Sequence, residues 1–153
     1  MFDEILGLPA HALIIHAAVV LTPLAVLLSL AYALVPGWRD RMTWAVVPLA
    51  VIAPATVLAA RQSGEAMKDR VFGGQPPSGL LGDRVAEHES YATPLLLSSL
   101  GLGVAVLVLV FAAARLGRAV AGVLSGLIVV LSLVVGFYVL RAGHTGATAV
   151  WGA

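Results

Sequence analysis

The chain has 153 residues, 60% of them hydrophobic and 11% charged, with a formal net charge of +1. Soluble globular domains run at roughly 45–50% apolar and about 25% charged, so a water-soluble fold is excluded, and the near-neutral balance excludes the basic field that nucleic-acid binding requires. Cysteine is absent, which removes disulfides, thiolate metal sites, cysteine-bound iron–sulfur clusters and covalently attached c-type haem.

Residues 1–9 carry Asp3 and Glu4 but no Lys or Arg. A secretory signal opens on a basic segment, so the apolar stretch that follows is read as a permanent span rather than a cleaved leader. A helix needs about 20 mostly apolar residues to cross the hydrocarbon, with its backbone hydrogen bonds closed internally. Four stretches qualify, at about 12–35, 43–60, 92–114 and 119–140. Only the first holds an ionisable residue, His16.

Pro23, Pro48, Pro54 and Pro94 fall inside these stretches; proline removes a helical N–H and crowds the preceding turn, so Pro23 and Pro94 predict bends in the first and third spans. Gly101, Gly103, Gly122, Ser125, Gly126 and Gly136 are small enough to let the third and fourth helices approach closely, or to let copies of the chain associate as a homo-oligomer. The turns at 36–42 and 115–118 are short, so spans one and two form one hairpin and spans three and four another. A long polar loop, 61–89, joins them, broken by Gly73, Gly74, Pro76, Pro77 and Gly79. Asp83 is placed to cap a helix leading through His88 into the third span.

The fold expected is therefore all-α: one transmembrane domain over residues 1–153, a four-helix bundle of up-down-up-down topology, with two hairpins and a long outer loop. Its orientation follows from the arginines. The two short turns carry Arg39, Arg41, Arg115 and Arg118, whereas seven of the eight acidic residues lie on the other side. Basic short loops stay in the cytoplasm, so both termini and the long loop are expected outside, in a multi-pass protein of the bacterial cytoplasmic membrane.

That topology gathers all four histidines, His11, His16, His88 and His144, at the outer end. An imidazole near hydrocarbon is a candidate ligand or proton carrier unless it merely marks the interface. Histidine serves as an axial ligand to haem iron and as a ligand to zinc or copper. On a straight helix, residues five apart are turned by about 140° and separated by roughly 7.5 Å, so His11 and His16 address different partners. Pairings of His16 with His88 and of His11 with His144 are open possibilities. Arg61 and Arg141, at the outer ends of spans two and four, suit haem propionates, or simply snorkel to the interface. Glu65, Glu87 and Glu89 lie near His88 in sequence, so a His/Glu site for zinc or copper competes with haem. Hydrolase motifs are absent.

Two stretches carry a resemblance. Leu8-Pro9-Ala10-His11-Ala12-Leu13-Ile14-Ile15-His16 resembles the "LP-x-H-P-L-x-V-H-F-P" opening of a family of bacterial membrane proteins, domain of unknown function 2231 (DUF2231). Gly143-His144-Thr145-Gly146-Ala147-Thr148-Ala149-Val150-Trp151-Gly152 is similar to its closing "G-H-x-G-G-x-L-V-Y-x-x-G". Ser63-Gly64-Glu65 and His88-Glu89 are similar to its middle. Ala12 stands where the family often has proline, Ala17-Ala18 replaces Phe-Pro, and Ala147 and Trp151 replace Gly and Tyr.

The resemblance implies a four-span bundle with the four histidines as recurring positions. It also implies a setting beside Rieske or cytochrome modules, and hence a b-type haem protein passing electrons near the outer face to a Rieske, cytochrome c or cupredoxin partner. The alternative is a non-redox subunit or scaffold with a structural zinc or copper.

Overall fold

The computed structural model describes residues 4–5, 8–75 and 78–151. Parts of the terminal and loop expectations, at residues 1–3, 6–7, 76–77 and 152–153, lie outside the described residues. Helix α1 is Ala10–Leu34, a 3-10 turn follows at Pro36–Trp38, α2 is Arg39–Phe72 and α3 is Gly79–Ser90. The helical run Ala92–Trp151 is interrupted at Gly117, whose φ of 79° and ψ of 167° are not helical. It is described below as α4 (92–116) and α5 (118–151). Ahead of α1, Glu4–Ile5 and Leu8–Pro9 form a short antiparallel backbone pairing, Glu4 opposite Pro9 and Ile5 opposite Leu8.

Four helical rods are long and apolar enough to cross a membrane: Ala10–Leu34, Pro36–Phe72, Gly79–Ala112 and Gly117–Trp151. They run alternately up and down. At one end His11 meets Ser63 and His88 meets Thr145. At the other, Arg39 meets Ser125. These are called the histidine end and the arginine end below.

The core is written in a spacing of three and four residues. Val46, Ala50, Ala53 and Val57 on α2, Leu102, Val106 and Leu109 on α4, and Ile128, Ser132 and Val135 on α5 are all buried. On α1 the same rhythm takes small and polar residues: Ala18, Thr22, Ala25, Ser29 and Ala33. This is the spacing of left-handed bundles. In lipid it works through close contact rather than through removal of water, because the surrounding tails are as apolar as the side chains. The opposite faces present Leu27, Val51, Val104, Leu133 and Phe137 outward, as a lipid-facing surface requires.

The glycines divide differently from expectation. A Cβ on Gly103 would strike the Ala50 carbonyl oxygen of α2, not α5. Gly101 lies near Leu131 of α5 and Gly136 near Val26 of α1, while Gly122 and Gly126 face open space. Small residues therefore set the α2–α4 contact most tightly. α1 and α2 stay helical through Pro23, Pro48 and Pro54. Pro94 sits in the first turn of α4, where a missing N–H has no helical partner to lose, and the break is at Tyr91 instead.

The segment expected as a loop, 61–89, is largely helix. α2 continues to Phe72, and the turn is confined to 73–78 before α3 begins. No proline interrupts the run before Gly73, whose φ of 60° is left-handed and whose N–H returns to the Asp69 carbonyl, a common helix ending. An i,i+4 ion pair, Arg61 to Glu65 at 3.3 Å, lies along this polar extension. Asp83 lies inside α3 rather than capping it, and Ser78 holds the N-cap position. At about 1.5 Å per residue, the 34 residues of α2 span about 51 Å. This exceeds a hydrocarbon core of roughly 30 Å, so the surplus stands in water at the histidine end.

The arginine end is closed by one side chain. Arg39 donates to the carbonyls of Tyr32 at 3.0 Å and Ala33 at 3.3 Å, and to Ser125 Oγ at 3.0 Å. Its guanidinium also lies over the Tyr32 ring, 5.5 Å from the centroid. Those carbonyls are among the last of α1 and have no helical donor of their own. One planar cation thus caps α1, fixes the turn into α2 and ties both to α5.

Candidate functional site

All four histidines lie at one end of the bundle, but the structure brings only two of them together. His11, in the first turn of α1, and His88, near the end of α3, are partly buried and close enough for their charges to interact. His16 and His144 are exposed. His16 turns its Nδ1 back to the Ala12 carbonyl, and neither it nor His144 shares a described contact with His88 or His11. The reason is angular: His16 lies five residues beyond His11 and so points away from the bundle, while on α5 it is Thr145, not His144, that turns inward.

The two partly buried imidazoles are held in the same way. His11 Nδ1 lies 3.0 Å from Ser63 Oγ, and that hydroxyl donates its proton to the Ala60 carbonyl at 3.0 Å. With its proton on that carbonyl, the hydroxyl turns its lone pairs to the ring, an arrangement suited to an Nδ1–H donor on His11. His88 Nδ1 lies 3.0 Å from the Ala142 carbonyl and 3.3 Å from Thr145 Oγ1. A carbonyl can only accept, so His88 also carries its proton on Nδ1. The Nε2 lone pair of each ring is left available, and histidine ligands to metals are commonly held in this manner, by a hydrogen bond to the other nitrogen. His16 Nδ1 likewise donates to the Ala12 carbonyl within its own helix.

A glycine follows each hydroxyl. A Cβ on Gly64 would lie 3.2 Å from His11 Cε1, and one on Gly146 would lie 3.0 Å from His88 Cε1. Each ring thus rests on bare backbone of a neighbouring helix, His11 on α2 and His88 on α5. Ser63, Gly64, Thr145 and Gly146 were not expected as site residues. Their sequence signal is the repeated hydroxyl-glycine pair, which becomes meaningful only once the helices are assembled.

The charged candidates find one another. Arg61 pairs with Glu65 at 3.3 Å, Lys68 with Glu89 at 2.6 Å and Arg141 with Glu87 at 3.6 Å. Arg141 also donates to Tyr91 Oη at 2.8 Å and lies over that ring, tying α5 to the α3–α4 junction. All three carboxylates considered as metal ligands are therefore engaged by cations. Among the described residues, no three His, Asp or Glu side chains gather as a metal ion would need. The His/Glu zinc or copper site is not assembled, since helix spacing sends each carboxylate to a cation on its own or a neighbouring rod.

Over residues 7–153 the chain matches the family described as a predicted membrane protein, DUF2231. It belongs to that family. No curated protein matches it, and no solved structure does. In this DUF2231 chain the opening motif supplies His11, while the closing motif supplies Thr145 and Gly146, on which His88 rests.

Proposed function

We propose that this DUF2231 protein binds haem b non-covalently at its histidine end, with His11 and His88 as the iron ligands, and transfers electrons there. The observation that carries this reading is the shared anchoring: two imidazoles from different helices, each held at Nδ1 by a hydrogen bond to a neighbouring helix, with no hydrogen-bond partner at Nε2 among the described residues. A pair of nitrogen donors suits an iron whose four equatorial positions are filled by porphyrin, and falls short of the three or four protein ligands of zinc sites. When bound, haem would supply a one-electron couple, which this cysteine-free chain lacks in its own side chains. Ser63, Ala142 and Thr145 orient the two rings, and Gly64 and Gly146 leave room for them.

The exposed His144 makes no side-chain hydrogen bond to a described residue, and in this reading it has no part in iron binding. Arg61, paired with Glu65, and Arg141, held by Tyr91 and Glu87, lie at the same end as candidates for the propionates. The electron partner is a soluble redox protein of the Rieske, cytochrome c or cupredoxin type. With its arginine end in the cytoplasm, the protein presents the site outside the cytoplasmic membrane, with both termini on that side. Because native cysteine is absent, single variants test this directly. Ser78→Cys in cells should react with an impermeant maleimide and Gly37→Cys should not; the reverse pattern defeats the orientation.

A second reading is favoured by the contacts themselves. Both rings fill space over glycine and lock α1 to α2 and α3 to α5, so they serve a non-redox membrane subunit equally well. The absorption spectrum of detergent-solubilised protein, expressed with haem supply, separates the two. Haem binding gives a Soret band that sharpens on reduction, is lost in His11→Ala and His88→Ala, and persists in His144→Ala. A wild-type protein without a Soret band, in which the first two variants only lower the melting temperature, establishes the locking role and ends the haem reading.

A further inference from the structure

Hydroxyls on these helices ordinarily turn back onto their own backbone. Thr43 donates to Arg39, Thr56 to Ala53, Ser98 to Pro94, Ser99 to Leu96 and Thr145 to Arg141, the usual behaviour of such residues inside helices. Thr22 departs from it. Midway between Ala10 and Leu34, it is 1% exposed, and its Oγ1 hydrogen-bonds to no described atom. Ser29, two turns on and 5% exposed, likewise has no hydroxyl partner among the described residues. A buried polar group without a partner costs roughly 1–3 kcal/mol, so Thr22 calls for an explanation, and Ser29 lies on the same helix stripe.

Both residues line the same cavity, of about 10 Å³, between α1, α2 and α4. Ala50, Pro54, Ser99 and Gly103 also line it. Pro54 has no N–H, so the Ala50 carbonyl four residues earlier loses its helical donor. Ser99 gives its proton to Leu96 at 2.9 Å and keeps its lone pairs. A polar group from each of three helices therefore borders a cavity otherwise walled by apolar side chains, Val135 of α5 among them, and its volume is near the roughly 10–15 Å³ that one water needs, with two to four polar partners.

We infer that this cavity is a binding site for a single water molecule in the middle of the bundle, held by the Thr22 and Ser29 hydroxyls and the Ala50 carbonyl. A cation is the wrong occupant, because no acidic side chain lines the site and an unbalanced charge at hydrocarbon depth is strongly disfavoured. The water satisfies the hydroxyls that α1 turns inward and the carbonyl that proline releases. It also leaves Gly103 free to press its backbone against α2 beside it.

Water-edited solid-state NMR on wild-type protein in bilayers tests the site without any substitution. Magnetisation should pass from water to the Thr22 side chain well before it reaches Leu109 or Ile128, which are as deeply buried but do not line the cavity; equal, slow build-up at all three overturns the inference. The sign of Thr22→Val gives a second reading. This near-isosteric change removes the hydroxyl, so it should lower the melting midpoint if a water is bound there, whereas Thr22→Ser should retain the early transfer. A higher midpoint for Thr22→Val means the hydroxyl was an orphan and overturns the inference, as does a midpoint that rises when sodium replaces choline at fixed ionic strength, which would mark a cation. If Thr22→Val does not fold, the wild-type NMR result decides.

Discussion

Gly103→Ala tests how the bundle is held together. A Cβ there would overlap the Ala50 carbonyl oxygen and stand 3.3 Å from the carbonyl carbon and 3.7 Å from Pro54 Cγ. The obstacle is backbone, which no rotamer change can clear, so α4 must move away from α2 along its buried stripe. Overpacking of this kind costs about 1–3 kcal/mol, and the Cα–H to carbonyl contact given up at such a crossing contributes about 0.5–1 kcal/mol more. Alanine's better helix propensity returns about 1 kcal/mol. The net loss expected is about 0.5–3 kcal/mol. Gly101→Ala, two residues away, is the control: its Cβ would meet Leu131 at 3.8 Å, an ordinary contact, so it should stabilise by up to about 1 kcal/mol. Unfolding followed by loss of helical circular dichroism in mild detergent measures both. If Gly103→Ala is as stable as Gly101→Ala, the close approach of α2 and α4 is not as described.

Three further outcomes follow from single contacts. Ser132 is fully buried with no partner for its hydroxyl among the described residues, and it does not line the mid-bundle cavity, so Ser132→Ala should raise stability by about 1 kcal/mol; a lower melting midpoint would show a hidden partner. Arg39→Ala should cost about 2–3 kcal/mol, since it removes three charge-assisted hydrogen bonds at the arginine end, and Arg39→Lys should recover less than half of this for want of a planar fork. Gly146→Ala, with its Cβ at 3.0 Å from His88 Cε1, should displace that ring and break its bond to Ala142. Imidazole 15N shifts report this as a mixture of tautomers, and unchanged shifts would refute the contact.

Much of the architecture was readable because bilayer thickness is a hard constraint. Apolar runs of the right length at four places, separated by short arginine-bearing turns, leave few arrangements other than two hairpins side by side. The polar extension of α2 was missed because the span was ended where the apolar run stops at Ala60, when Arg61 and Glu65 already had the spacing of a helical ion pair. The site was readable only in part. Sequence places four histidines at one end, but which two turn inward depends on helix phase, and phase is set by packing partners such as Ser63 and Thr145. The partners of the glycines were hidden for the same reason, since a glycine shows neither which neighbour it faces nor whether it faces one at all.

The reversal at Gly117 leaves the α4–α5 hairpin without slack. Helix resumes on either side of a single non-helical residue, so one residue added or deleted there would rotate α5 by about 100° against its neighbours. Ile128, Ser132 and Val135 would swing toward lipid, and His88 would lose Ala142 and Thr145 at the far end of the rod. A change of one residue at 73–78, between the two hairpins, imposes no such rotation. Length variation in relatives of this protein should therefore collect at that turn and be shunned at Gly117.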